Sequence, residues 1–221
     1  MRGLVMVGVA VAWFAMGAGI DGRSEERAAA VAQQAAAPDA GGMPLLQQAM
    51  LRRDRGEFRK LLAAGANPAQ GNIDGQTALH LAAMGEDPYW LDQLLERGVD
   101  PNLSNTITAA PPLFDALFAA RPNNVDRLLA AGARLDVHDR TGNTPLHQAA
   151  KVNDLESVLK FLEAGADPDA TNRIGVTFQR YLGLENPKLR NAATRRNLRK
   201  IDDWLRANGV RSTWHENRRQ P

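Results

Sequence analysis

The sequence predicts an all-α solenoid of about five helix-turn-helix units. Two independent features with one shared period carry that prediction. Four segments end alike: LLAAGANP at 61–68, LLERGVDP at 94–101, LLAAGARL at 128–135 and FLEAGADP at 161–168. Their glycines, Gly65, Gly98, Gly132 and Gly165, are spaced by 33, 34 and 33 residues. In register with them, GQTALHLAA at 75–83 and GNTPLHQAA at 142–150 share a second signature. Leu46, Leu79, Leu113 and Leu146 keep the same 33, 34, 33 spacing. Composition agrees, since 44% hydrophobic and 24% charged residues in a chain of 221 suit a folded protein of one domain or a little more.

The chain opens on an apolar run of 18 residues, 3–20, behind a single Arg2. A charged start, an apolar middle and the small residues Ala15, Gly17 and Ala18 match a signal peptide cut after Gly17 or Gly19, although the A-x-A pattern is imperfect. The same run approaches the length of a spanning helix. Residues 1–20 therefore read as a signal peptide or as an uncleaved N-terminal anchor, with Arg23 and Arg27 weakening the charge bias. Either reading exports the rest, to the periplasm or to the periplasmic face of the inner membrane. Residues 21–43 are rich in Ala and Gln, offer little beyond methyl groups to a core, and read as a tether.

The repeat domain spans 44–210, with units at about 44–71, 72–105, 106–138 and 139–171 and a divergent capping unit at 172–210. Each unit reads as two short antiparallel helices and a turn. In the first helix, Leu79, Ala82 and Ala83 share one face, with alanines where helices approach closely. In the second, apolar residues recur at i and i+3/i+4, as in Leu91, Leu94 and Leu95 or Val158, Phe161 and Leu162. The glycine that follows suits a left-handed C-cap. Asn or Asp with Gly then turns into the next unit, at Asn72–Gly75 and Asp139–Gly142. Pro145 suits the first helical turn after Thr144.

The pattern D-x-x-G-x-T-P-L-H-x-A-A ending in L-L-x-x-G-A-D resembles the ankyrin repeat over roughly residues 44–182, and Asp139–Thr171 comes close to its consensus. The resemblance implies a curved stack of helix pairs with short β-hairpin fingers that binds another protein. It also implies a structural role for His80 and His147, each bonding the neighbouring turn with Thr77 or Thr144 three positions earlier. Partner contacts carried over by position fall at the finger tips, Ile73, Asp74, Gln76, Ile107, Thr108, Arg140, Thr141 and Asn143, and on the first helices at Met84, Phe118 and Lys151, with Leu51 in the same row. Three departures stand out. The third unit has Ala109 in place of the turn glycine and Phe114 in place of the histidine, so its turn is expected to be reshaped. The first unit has Gln47 at the histidine position, as suits a cap. In the fifth, Gly209 falls 44 residues after Gly165, which places an insertion of about eleven residues within 183–196, before a final helix carrying Leu198, Ile201, Trp204 and Leu205.

Enzymatic motifs are missing. With no cysteine, the chain has no disulfide, iron–sulfur or thiol chemistry. No H-E-x-x-H, G-x-S-x-G or glycine-rich phosphate loop occurs, and His138 and His215 have no partner at ligand spacing. No cofactor, metal or catalytic residue is expected. The region from Tyr181 onward carries ten basic against four acidic residues, and 211–221 reads as a basic, solvated tail. It lacks the interleaved aromatics of a nucleic-acid surface, apart from Trp204 and Trp214. Tyr89 and Trp90 open a second helix where later units have Asn123 and Asn124 or Glu156 and Ser157, and those polar equivalents suggest that Trp90 is partly exposed. The expectation is a monomeric, non-enzymatic binding module that neutralises or protects one partner protein such as a toxin or enzyme. A membrane-tethered adaptor and a secreted effector are the alternatives.

Overall fold

The computed structural model describes residues 42–183 and 191–215. The expected leader or anchor at 1–20, all but the end of the tether, much of the expected insertion and the end of the basic tail lie outside those residues. No helix among the described residues is long and apolar enough to cross a membrane. The described residues form nine α-helices and one 3-10 segment, arranged in pairs. α1 (Leu45–Leu51) pairs with α2 (Arg55–Ala63), α3 (Ala78–Met84) with α4 (Pro88–Leu95), α5 (Pro112–Phe118) with α6 (Pro122–Ala130), and α7 (Pro145–Lys151) with α8 (Leu155–Glu163). The fifth unit has a 3-10 turn, Phe178–Tyr181, in place of its first helix, and α9 (Ala192–Ala207) as its second.

Local chemistry explains the helix ends. Asp54, Asp87, Asp154 and Asn191 cap α2, α4, α8 and α9, accepting from the N–H groups of Glu57, Tyr89, Ser157 and Thr194 at 2.8–3.1 Å. Arg121 takes this position in the third unit, where Pro122 at the first helical position removes one of the N–H groups that needs a cap. Its guanidinium reaches back to the preceding unit, to the Met84 carbonyl and the Glu86 carboxylate, both at 3.0 Å. At the other end, Gly65, Gly98, Gly132, Gly165 and Gly209 all take left-handed φ. The residue after each glycine donates back into the last helical turn, as Ala66 does to Leu61 and Val210 to Leu205, both at 2.9 Å.

One continuous core runs the length of the stack. Leu46, Leu79, Leu113 and Leu146 are fully buried, and each such leucine contributes about 1.5–3 kcal/mol. Buried Ala82, Ala83, Ala116, Ala149 and Ala150 let successive first helices approach closely. Trp90 belongs to this core. It is only 5% exposed, with its ring edge-on to Phe58 at 5.0 Å, which joins the second helices of units one and two. The expectation of partial exposure therefore fails. Its polar equivalents Asn124 and Ser157 are buried as well, Asn124 donating to the carbonyls of Ala83 and Gly85 at 2.9 Å and Ser157 to Asp154 at 2.6 Å. The packing also continues past residue 210. Trp214 is buried, Asp202 accepts from the Ser212 hydroxyl and the Trp214 indole, and Gln179 bonds the backbone of Arg211 and Thr213. The start of the expected tail is thus docked on the capping unit.

Between pairs the chain forms fingers, each closed by its own backbone. Asn72 N–H donates to the Gln76 carbonyl, Asn105 to Ala110, Asp139 to Asn143 and Asn172 to Val176. The second finger holds one residue more than the others, with Ala109 at φ +59°, and this accounts for the single 34-residue spacing. Neighbouring fingers are tied by Thr106 N–H to the Gly75 carbonyl, Arg140 to Thr108 and Arg173 to Thr141.

In three of the four pairs a side chain from the first helix also bonds the finger ahead of it. Nε2 of His80 lies 3.1 Å from the Ala110 carbonyl, and Nε2 of His147 lies 3.0 Å from that of Val176. In both, Nδ1 accepts from the N–H of the threonine three positions earlier, Thr77 or Thr144, and lies against its hydroxyl at 2.7–2.8 Å. Nε2 therefore carries the proton and donates. Gln47 does the same in unit one, donating to the carbonyls of Gln76 and Gln70. Its Oε1 is buried without a partner, because the position matching Thr77 is Pro44, which has no N–H to offer. Phe114 in unit three has no donor and is simply buried.

Two predictions concern these joints. Gly142 sits at φ +79°, where an added Cβ would lie 2.9 Å from the Arg173 nitrogen. Gly142→Ala is expected to cost roughly 2–3 kcal/mol in urea unfolding, from steric strain added to the backbone penalty. Gly132→Ala, at φ +92° in open space, is expected to cost only about 1 kcal/mol. Burial holds both His80 and His147 below the ordinary pKa of 6.5, against the opposing pull of the carbonyl each one meets. The unfolded chain then takes up protons first as pH falls below 6.5, so these histidines make the stack less stable in that direction. His147→Ala is expected to cost roughly 2–3 kcal/mol at pH 7.5. His147→Gln, which keeps an amide donor, is expected to cost less and to weaken the acid dependence of the melting temperature.

Candidate partner-binding face

The first helices pack against one another in chain order, so the exposed ends of α1, α3, α5 and α7 form a row. Leu51 is 61% exposed, Met84 half-buried, Phe118 74% exposed, and Lys151 exposed. The tips of the fingers are exposed as well, with Ile73 76% exposed and Ile107, Asp74, Thr108, Arg140 and Thr141 open to solvent, and Lys151 shares a cleft with Arg140 and Thr141. Gln76 is half-buried, its carbonyl occupied by Gln47 and by Asn72.

Asn143 does not belong with these residues. It is 2% exposed, donates to the Asp139 carboxylate at 2.9 Å, and accepts from Asn172 of the next finger at 2.9 Å. Its side chain joins two fingers, so its place as a contact residue is corrected. Thr77, Thr144, His80 and His147 are buried in the joints described above.

The fourth finger was missed among the contact positions because it opens the divergent unit. Asn172–Gly175 closes the same turn as Asn72–Gly75, and it presents Arg173 and Ile174, the latter 77% exposed. The repeated N-x-x-G is the signal that marks it. Asp115 was missed as well. It lies half-buried on α5, at the position occupied by Gln48, Leu81 and Gln148 in the other units, and burial pushes its carboxyl up to about 7. A lone acid among uncharged equivalents is the sequence signal there.

A serine, an acid and a histidine meet among the described residues, but not in the order that activating a nucleophile needs. No group of three or more His, Asp or Glu side chains there is placed to hold a metal ion. Ser212, Asp202 and His215 come together, but the Ser212 hydroxyl donates to Asp202 at 2.5 Å and His215 meets the other carboxylate oxygen at 3.4 Å. With the acid between them, the imidazole is not placed to take the serine proton. The trio fastens the C-terminal segment to α9.

A family model described as ankyrin repeats (3 copies) matches residues 91–172, and one for the single ankyrin repeat matches 74–106. Protein PhlB from Serratia liquefaciens is 46% identical over 109 residues, covering 49% of this chain and 48% of that protein. The match thus spans about half of PhlB's length. Cyclin-dependent kinase 4 inhibitor B from Bos taurus is 34% identical over 129 residues, covering 57% of this chain and 95% of that protein. Human cyclin-dependent kinase inhibitor 2A is 35% identical over 113 residues, covering 50% and 69%.

Asp115 gives the prediction of this section. Its folded pKa of about 7 lies above the ordinary 3.8, so the folded state holds a proton that the unfolded chain releases, and stability falls as pH rises between the two. Asp115→Asn is expected to stabilise the protein by roughly 1–3 kcal/mol at pH 8 and to leave it unchanged near pH 4. Thermal unfolding at the two pH values measures both.

Proposed function

The chain belongs to the ankyrin-repeat family, and from that membership we propose that it is an exported binder that neutralises or protects one partner protein and catalyses nothing itself. The observation that carries the reading is the row of exposed apolar side chains, Leu51, Phe118, Ile73, Ile107 and Ile174, on a face whose backbone and buried polar groups are already engaged by the stack. Apolar side chains held on rigid elements and rimmed by polar groups are what a protein interface offers. Ile73, Asp74, Gln76, Ile107, Thr108, Arg140, Thr141, Met84, Phe118 and Lys151 are its proposed contacts.

Export rests on the apolar run at 3–20, in the periplasm or anchored to the inner membrane on that side. Two relatives are named as inhibitors of cyclin-dependent kinases, which supports the idea that a short stack of this kind acts by occupying an enzyme. No nucleic acid or cofactor enters this reading, and the binder acts as a monomer.

Affinity capture with the full chain from the envelope fraction of its native host tests the proposal. One enzyme or toxin is expected in a one-to-one complex, with its activity blocked or preserved when assayed. The combined Met84→Ala, Phe118→Ala and Arg140→Ala variant is expected to lose it while melting at the wild-type temperature. Equal capture by both chains rejects the face. The mass of the mature protein separates a cut after Gly17 or Gly19 from an intact anchor.

A further inference from the structure

The binding face is chemically polarised along the stack. In the first three units the helix-end positions carry the apolar side chains Leu51, Met84 and Phe118. The last units enclose a cleft of about 410 Å³ lined by Arg140, Thr141, Lys151, Arg173, Ile174 and Tyr181, with Asn143 and Asn172 at its floor. Three cations line that cleft, and no carboxylate does. Four other cations of the stack are paired between neighbouring units, in Arg55–Asp87, Arg121–Glu86, Arg127–Asp92 and Lys160–Asp126. Arg140, Lys151 and Arg173 are in none of the ion pairs among the described residues. Lys151 instead lies 5.9 Å from the centre of the Tyr181 ring. The nearest acid by sequence, Asp139, is turned into its own finger, where its carboxylate takes bonds from Thr141 and Asn143.

We propose that this cleft is an acceptor for the carboxylate side chains of an acidic segment on the partner protein, whose apolar part lies over Leu51, Met84 and Phe118. The inference rests on the face assigned under the proposed function and adds the partner's chemistry and direction. Besides the cations, the cleft offers one neutral donor. The Tyr181 hydroxyl accepts from Asn172 at 3.0 Å, which leaves its own proton to give. Ile174 and the Tyr181 ring provide apolar surface for the methylene groups of a glutamate. The backbone speaks against a phosphate cradle, which needs free converging N–H groups. Here the amides of Thr141, Gly142, Asn143, Arg173, Ile174 and Gly175 are all spent within and between the fingers. Recognition is left to side chains, which suits carboxylates met by arginine forks and an ammonium.

The test is selection of random twelve-residue phage-displayed peptides on the immobilised full chain. Enriched peptides are expected to carry Asp and Glu in one half and apolar residues in the other. Arg140→Glu with Arg173→Glu changes only exposed side chains, and circular dichroism checks that the fold is kept. That variant is expected to bind a selected acidic peptide at least about tenfold more weakly, and wild-type binding is expected to weaken as sodium chloride is raised. Enrichment without acidic bias, no enrichment, or equal binding by the charge variant overturns the proposal. So does displacement of the peptide by millimolar inorganic phosphate, or a preference for phosphorylated peptides. A Met84→Ala, Phe118→Ala chain separates the two levels. If it loses binding while the charge variant does not, the face stands and the acidic partner falls. If neither loses binding, the face itself is wrong.

Discussion

Three of the four finger carbonyls that close their own turns also receive a donor from the helix pair behind them, and the stack depends on that double use. Each repeat of a solenoid touches only its neighbours, so each joint must be specified locally. The carbonyls of Gln76, Ala110 and Val176 each take the N–H that closes the finger and the Nε2 of Gln47, His80 or His147. Histidine suits the task because its two ring nitrogens do opposite work, one accepting from a threonine at the helix start and the other donating forward. Glutamine can do half of it. Where Pro44 removes the N–H to be accepted, the spare oxygen of Gln47 is left buried and unbonded. Unit three abandons the arrangement and relies on packing around Phe114 and on finger-to-finger bonds.

This division of labour frees the opposite side of the first helices. Inward, the backbone and the short polar side chains are consumed by the joints, and alanines bring the helices close. Outward, the side chains carry no structural duty, so Leu51, Phe118 and Lys151 can differ from unit to unit without cost to the stack. The change from apolar to cationic along the row is therefore a property of the face alone.

The architecture was legible because its signals are periodic, and a period shows in one sequence without any comparison. Glycine C-caps, finger turns and bridging histidines all recur at the same interval. What misled was reading exposure from polarity at one position. Trp90 faces the core, and so do Asn124 and Ser157, because a buried amide or hydroxyl that reaches a helix end is as well placed there as an indole. The finger residue Asn143 was misread for the same reason, since turn residues are polar whether they face solvent or a neighbouring turn. The burial of Trp214, read as part of a solvated tail, was missed because it lies past the last repeat glycine, where periodicity no longer speaks. Asp115 and the fourth finger were visible as breaks in, or survivals of, the pattern.

The second finger, Asn105–Ala110, contains one residue more than its neighbours, yet α5 and α6 on its far side pack as the other pairs do. The extra residue is absorbed by Ala109 in a left-handed conformation and goes no further. Insertions at the fingertips are thus insulated from the helical framework. The reach of the molecule toward its target can lengthen or shorten by single residues with no compensating change elsewhere, so divergence in what is bound need not wait on divergence in how the chain folds.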